Sequence, residues 1–175
     1  MRKLIIGIGL FFGILFSAAM LAMIIGQFLP EEHEATLSTE FEQPPAKLWS
    51  ILTNYASYPD WRIDLHRVDL LSDMDGLHRW REFDQSKMDL TYTEVKVEKP
   101  RLLIIKIADE NISFGGTWKM ELTPSIKGCH LKVTETGTID SGFFRFIATY
   151  IFGFDSTIRS FVNMLKVHLG EMEIS

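Results

Sequence analysis

From Leu4 to Leu29 the chain carries no charge, and Ser17 and Gln27 are its only strongly polar side chains there. As a helix, 26 residues rise about 39 Å, more than the ~30 Å of a hydrocarbon core. The run therefore predicts one membrane-spanning helix, because a helix satisfies its own backbone polar groups in lipid. Arg2 and Lys3 precede it, and Pro30, Glu31 and Glu32 follow. Gly9 and Gly13 form a G-x-x-x-G pair that can bring two spanning helices together or reflect chance spacing. A cleaved signal peptide is the competing reading, with Ser17-Ala18-Ala19 as small residues near a cleavage point. Met20 to Leu29 would then leave an apolar mature end in water, so the uncleaved anchor is preferred.

After the span the period changes to two. Ala35, Leu37, Thr39 and Phe41 alternate with Thr36, Ser38, Glu40 and Glu42, which predicts a strand over 33–42. Pro44-Pro45 ends it and opens a short helix in which Leu48, Ile51 and Leu52 form the buried stripe. A second short helix is expected over Tyr55–Trp61. About six strands follow, over 68–72, 77–83, 88–98, 102–108, 118–122 and 131–139, with turns at Asp73-Met74-Asp75-Gly76, Gln85-Ser86 and Thr123–Gly128. Short turns between close strands imply an antiparallel meander. The tail returns to helical spacing: Phe143, Ile147, Tyr150, Phe154, Ile158, Phe161, Leu165 and Leu169 share one face of a long helix over 142–171, with Gly153 a possible kink and Asp155 or Ser156 a cap that could restart it. The organisation expected is an anchor at 1–29, a linker at 30–34 and one α+β domain at 35–175.

Charge and cysteine content narrow the class. Removing Arg2 and Lys3 from the 18 basic residues leaves 16 against 23 acidic ones. A net negative domain does not suit nucleic acid. Cys129 stands alone, so no intrachain disulfide forms and the domain stands on packing. Basic residues flanking a span stay cytoplasmic. Arg2 and Lys3 thus place the N-terminus inside and the domain outside.

The segments Phe41-Glu42-Gln43-Pro44-Pro45-Ala46-Lys47-Leu48-Trp49 and Tyr55-Ala56-Ser57-Tyr58-Pro59-Asp60-Trp61 carry a resemblance. Gly115-Gly116-Thr117-Trp118, Val133-Thr134-Glu135-Thr136-Gly137 and the C-terminal helix extend it. The chain resembles the START-like, or SRPBCC, superfamily of polyketide cyclases and plant pathogenesis-related allergens over nearly all of 34–171. The resemblance implies a helix-grip fold: a curved antiparallel sheet around a long C-terminal helix, with a deep apolar cavity between them. It also implies a hydrophobic ligand, a membrane lipid or another apolar small molecule, in that cavity. The spanning helix departs from most members and argues against a diffusible carrier.

Alternation then selects candidates for the cavity wall. Trp118, Met120, Leu122 and Val133 share inward parity, and Tyr150, Phe154 and Phe161 meet them from the helix. Trp80 and Tyr92 join the set, although neither face of the 77–83 strand is cleanly apolar. Most of these residues can equally fill a solid core. Glu135 shares parity with Leu131 and Val133, so its carboxylate points inward, as an acid–base group, a salt-bridge partner of Arg79 or Arg81, or a group twisted to solvent. As a base it would suit the alternative of a cyclase or hydratase on an apolar substrate. A third possibility is an interaction domain without ligand. Arg81 with Glu82 is either an anion-holding pair or an exposed one.

His33, His66, His78, His130 and His168 have no metal-site spacing, and no cofactor motif occurs. Gly115-Gly116 precedes a predicted strand and reads as a bulge or turn. Asn111-Ile112-Ser113 is a glycosylation sequon by pattern. Phe143 to Phe154 is apolar almost all round, which suits a buried helix end or a membrane-facing lid on the cavity.

Overall fold

The computed structural model describes residues 2–85, 88–109 and 112–172, with side chains from Ile6 onward. Ser86 of the predicted turn and Asn111 of the sequon lie outside the described residues. Helix α1 (Arg2–Gln27) is apolar from Leu4 onward apart from Ser17 and Gln27. Its segment Ile6–Gln27 is long and apolar enough to cross a membrane. Its hydroxyl is satisfied within the helix, Ser17 Oγ donating to Gly13 O at 2.9 Å.

Seven strands follow: β1 (Glu32–Phe41), β2 (Leu65–Met74), β3 (Leu77–Asp84), β4 (Asp89–Glu98), β5 (Leu102–Ile107), β6 (Phe114–Pro124) and β7 (Cys129–Ile139). They form one antiparallel sheet in the order β1-β7-β6-β5-β4-β3-β2. Consecutive strands pair from β2 to β7, and β1 closes beside β7 with Leu37 opposite Val133 and Ala35 opposite Glu135. β1 already begins at Glu32, so most of the expected linker at 30–34 belongs to the sheet. Gly115 and Gly116 lie inside β6, opposite Thr138 and Gly137, and not in a turn before it.

Between β1 and β2, α2 (Pro45–Leu52) and a 3-10 turn (Tyr55–Asp60) close one end of the sheet. Pro45 suits the first helical turn because its missing N–H has no helical partner there. Leu48, Trp49, Ile51 and Leu52 are buried, and Tyr55 stacks on Trp80 at 3.6 Å between ring centroids. This end is solid core.

The C-terminal segment is where the periodicity misled. It is not one helix but α3 (Gly142–Ile147), a π turn (Ala148–Phe152) and α4 (Ser156–His168). Gly153 N donates to Ala148 O at 2.9 Å, the five-residue bond of a π turn. Gly153 then takes φ +79° and ψ +148°, a backbone region open essentially to glycine alone. α4 packs Ile158, Phe161, Val162 and Leu165 on the sheet, whereas α3 packs on α1. Gly153→Ala is expected to lower the unfolding free energy in urea by about 1–3 kcal/mol. An unchanged value would show that the break does not need glycine.

The junction between α1 and α3 is tight. A Cβ on Gly26 would lie 1.7 Å from Gly142 O, so two glycine backbones touch. Arg145 is buried beside them. Its Nε donates to Gly26 O at 2.9 Å, capping the carbonyl end of α1, and its Nη1 lies 2.9 Å from Glu31 Oε1. Sequence placed no base near this end of the span before Lys47; the fold brings one back from more than a hundred residues away.

Candidate functional site

Between the sheet and α4, toward the Gly153 break, lies a hollow of about 770 Å³. Its walls are mostly apolar. Tyr92 from β4, Ile105 from β5, and Trp118 and Met120 from β6 face Phe161 and Met164 of α4. Phe154 closes part of the top, stacked at 4.5 Å on His33. That ring lies over Gly137, where any Cβ would sit 2.6 Å from His33 Cε1. Phe144 of α3 and Ala148 of the π turn line the same end.

The sequence candidates divide between wall, core and surface. Tyr92, Trp118, Met120, Glu135, Phe154 and Phe161 line the hollow. Trp80, Leu122 and Val133 are fully enclosed in the packed cluster, and they do not line it. α2 and the 3-10 turn fill that half of the interior, Tyr55 covering Trp80. Tyr150 is 60% exposed, on the outside of the π turn against Phe146 at 5.0 Å between rings. The wider turn shifts the helical face, so Ala148 and not Tyr150 lines the space. Phe144, Ile151 and Phe152 are exposed as well, which corrects the expectation of a buried helix end.

Glu135 is half-buried on the wall. It pairs with neither Arg79 nor Arg81; Thr157 Oγ1 donates to its Oε2 at 2.9 Å. With a single hydroxyl donor and only half burial, Glu135→Gln is a mild change, expected to move folding stability by about 1 kcal/mol or less in urea unfolding. A larger loss would mark a structural role.

A second carboxylate is the more enclosed. Glu82 is 5% exposed and lines the hollow from β3. Trp80 Nε1 donates to its Oε1 at 2.9 Å, and Arg62 Nη1 to its Oε2 at 2.9 Å. Arg62 also clasps Asp64, with Nη2 to Oδ2 at 2.7 Å. The sequence pairing of Arg81 with Glu82 is thereby corrected, because adjacent strand residues face opposite ways. Arg81 instead reaches Thr91 Oγ1 at 3.2 Å. Burial pushes the Glu82 carboxyl above the usual carboxylate range, while Arg62 and Trp80 pull it back. Burial also holds Tyr58 and Tyr92 as neutral phenols, pushed well above their ordinary value. Arg62 was missed from sequence because it follows the 3-10 turn and has no strand parity to reveal its direction.

Among the described residues no group of three or more His, Cys, Asp or Glu could hold a metal ion. What the arrangement offers is an apolar volume, an acid–base–acid cluster with Glu82 buried and Asp64 half-exposed, and two neutral phenols. That is the make-up of a small-molecule site: mostly apolar, with a few placed polar groups.

A family model described as polyketide cyclase / dehydrase and lipid transport matches residues 32–169. No curated protein matches the chain. Among solved structures, a protein from Mesorhizobium loti is 18% identical, with a TM-score of 0.61 over 81% of this chain and 100% of its own. Norcoclaurine synthase from Thalictrum flavum is 10% identical, with a TM-score of 0.62 over 86% and 92%. The di-domain ARO/CYC protein StfQ of the steffimycin biosynthetic pathway is 11% identical, with a TM-score of 0.66. Here 80% of this chain spans 52% of the other, about half its length. At such identities the likeness speaks for the fold, not for a shared reaction.

Proposed function

This chain belongs to the polyketide cyclase / dehydrase and lipid transport family, and from that premise we propose that it is a membrane-anchored module holding a lipid or similar apolar molecule in its hollow. The observation that supports this best is a physical connection. The hollow of about 770 Å³ is lined at one end by Phe144 and Ala148, and their segment is clamped to the end of α1 through Gly26, Gly142 and Arg145. In this reading α1 spans the bilayer, with Arg2 and Lys3 on the cytoplasmic side and the domain across it. Phe28, Phe144, Tyr150, Ile151 and Phe152 are exposed beside that junction. Aromatic and aliphatic side chains of this kind gain by entering the interfacial layer. The hollow then fills from the bilayer and not from water.

The test is extraction of the full chain in mild detergent, followed by solvent extraction and mass spectrometry. A co-purifying apolar compound near one per chain is expected, and Met164→Trp should displace it. Wild-type protein holding nothing more than the filled variant would overturn the reading.

An enzymatic reading has one observation in its favour, the half-buried Glu135 carboxylate on the cavity wall with its Thr157 partner. As a general base acting on a bound apolar substrate, Glu135 would be required for turnover. Glu135→Gln should then abolish turnover and leave ligand retention intact. A packed interaction domain without ligand has less support, because its interior should be filled.

A further inference from the structure

The polar end of the hollow is short of cations and rich in acceptors. Among the described residues that line it, the bases are His33, Arg62 and Lys106, and the carboxylates whose partners bear on the charge here are Asp64, Glu82 and Glu135. Lys106 is exposed, and a lysine head so placed stays in water. Arg62 is enclosed, its side chain 14% exposed, and its fork is already divided between two carboxylates. One cation shared by two anions leaves that end with negative charge in excess. Within the cluster the donors Arg62 and Trp80 are committed, while Glu82 keeps acceptor capacity. Glu82 Oε1 takes one bond from Trp80 and Oε2 one from Arg62, and each carboxylate oxygen has room for a second.

We propose that the molecule held in the hollow ends in a hydrogen-bond donor, a hydroxyl or an ammonium, and not in a carboxylate or phosphate. This rests on the ligand-holding role proposed above. An anionic head would lose its water beside Glu82 and Asp64 without gaining an uncommitted buried cation. A hydroxyl keeps a hydrogen bond by donating to Glu82. An ammonium does the same and balances the excess charge. Burial raises the Glu82 carboxyl, in keeping with a site that tolerates no further negative charge.

The experiment uses the full chain in neutral detergent and two probes, undecanol and undecanoate, each with a terminal bromine. Bromine quenches tryptophan, and Trp118 lines the hollow, whereas Trp49, Trp61 and Trp80 sit in the core. Quenching that saturates, and is lost in Trp118→Phe, reports occupancy. At pH ~9, above the carboxylate range, the alcohol should saturate at a concentration about tenfold or more below the acid. Glu82→Gln should narrow that gap by strengthening the acid. Asp64→Asn should do the same at a half-exposed position where folding is not at risk. Acid binding equal to or tighter than alcohol in the wild type would overturn the inference and leave the ligand-holding role standing. Saturable quenching by neither probe would overturn both.

Discussion

Arg62→Ala will destabilise the fold by about 3–5 kcal/mol at neutral pH, because it leaves the Glu82 carboxylate enclosed without its cation. Trp80 remains as a donor at 2.9 Å, but a single indole N–H does not balance a buried charge. The loss includes packing, since the guanidinium lies 5.4 Å from the Tyr58 ring centroid and 5.8 Å from that of Phe161. The pH dependence identifies the partner. The folded Glu82 carboxyl is already raised by burial above its unfolded value. Such a group binds its proton more tightly in the folded state. Its stabilising contribution is therefore full below the unfolded pKa and is lost as pH climbs toward the raised folded value. Removing Arg62 takes away the main downward pull, so the loss continues to higher pH. Urea unfolding of wild type and variant should give a small difference in acid that widens toward neutrality. A difference constant with pH would show that Glu82 is not the group Arg62 serves. Replacing Arg62 and Glu82 together by apolar residues of similar size should recover much of the loss.

Gly26→Leu is the second large effect expected. The first atom of the new side chain would fall 1.7 Å from Gly142 O and 2.4 Å from its carbonyl carbon. Those are backbone atoms and cannot rotate away, so α1 must leave α3. The bond from Arg145 Nε to Gly26 O goes with it. The cost is about 3 kcal/mol, at the upper end for overpacking, and part of it is the stranded guanidinium. Gly26 and Gly142 are not part of the packed cluster around Phe41, Leu48 and Leu131. Affinity for an apolar probe in detergent should therefore hold, while its uptake from vesicles slows. Unfolding and uptake both like wild type would show that the helices do not need to touch.

The strands were legible because β1 and β7 alternate cleanly, with Phe41, Leu131 and Val133 all at 0% exposure. β3 was not, because its inward row mixes Trp80 with Glu82. The charge on that row is explained by Arg62, twenty residues earlier, which no local pattern announces. Glu135 was legible by parity, but its partner Thr157 comes from α4. The tail was misread since spacings of three and four run unbroken through a π turn. Gly153 marked the break, and Asp155 and Ser156 marked the restart, where α4 begins. Arg145 looked like one polar residue in an apolar stretch, and its purpose depends on a carbonyl 119 positions away.

Between Gln27 at the end of α1 and Glu32 at the start of β1 only residues 28–31 intervene. Four residues extend about 13–14 Å at most. With α1 held in a bilayer, as proposed above, such a leash would give the domain no freedom to swing outward or to reach a facing bilayer, and so no means of ferrying cargo across a gap between compartments. Whatever delivered to it or collected from it would then have to come up against the same leaflet and do the handover in place.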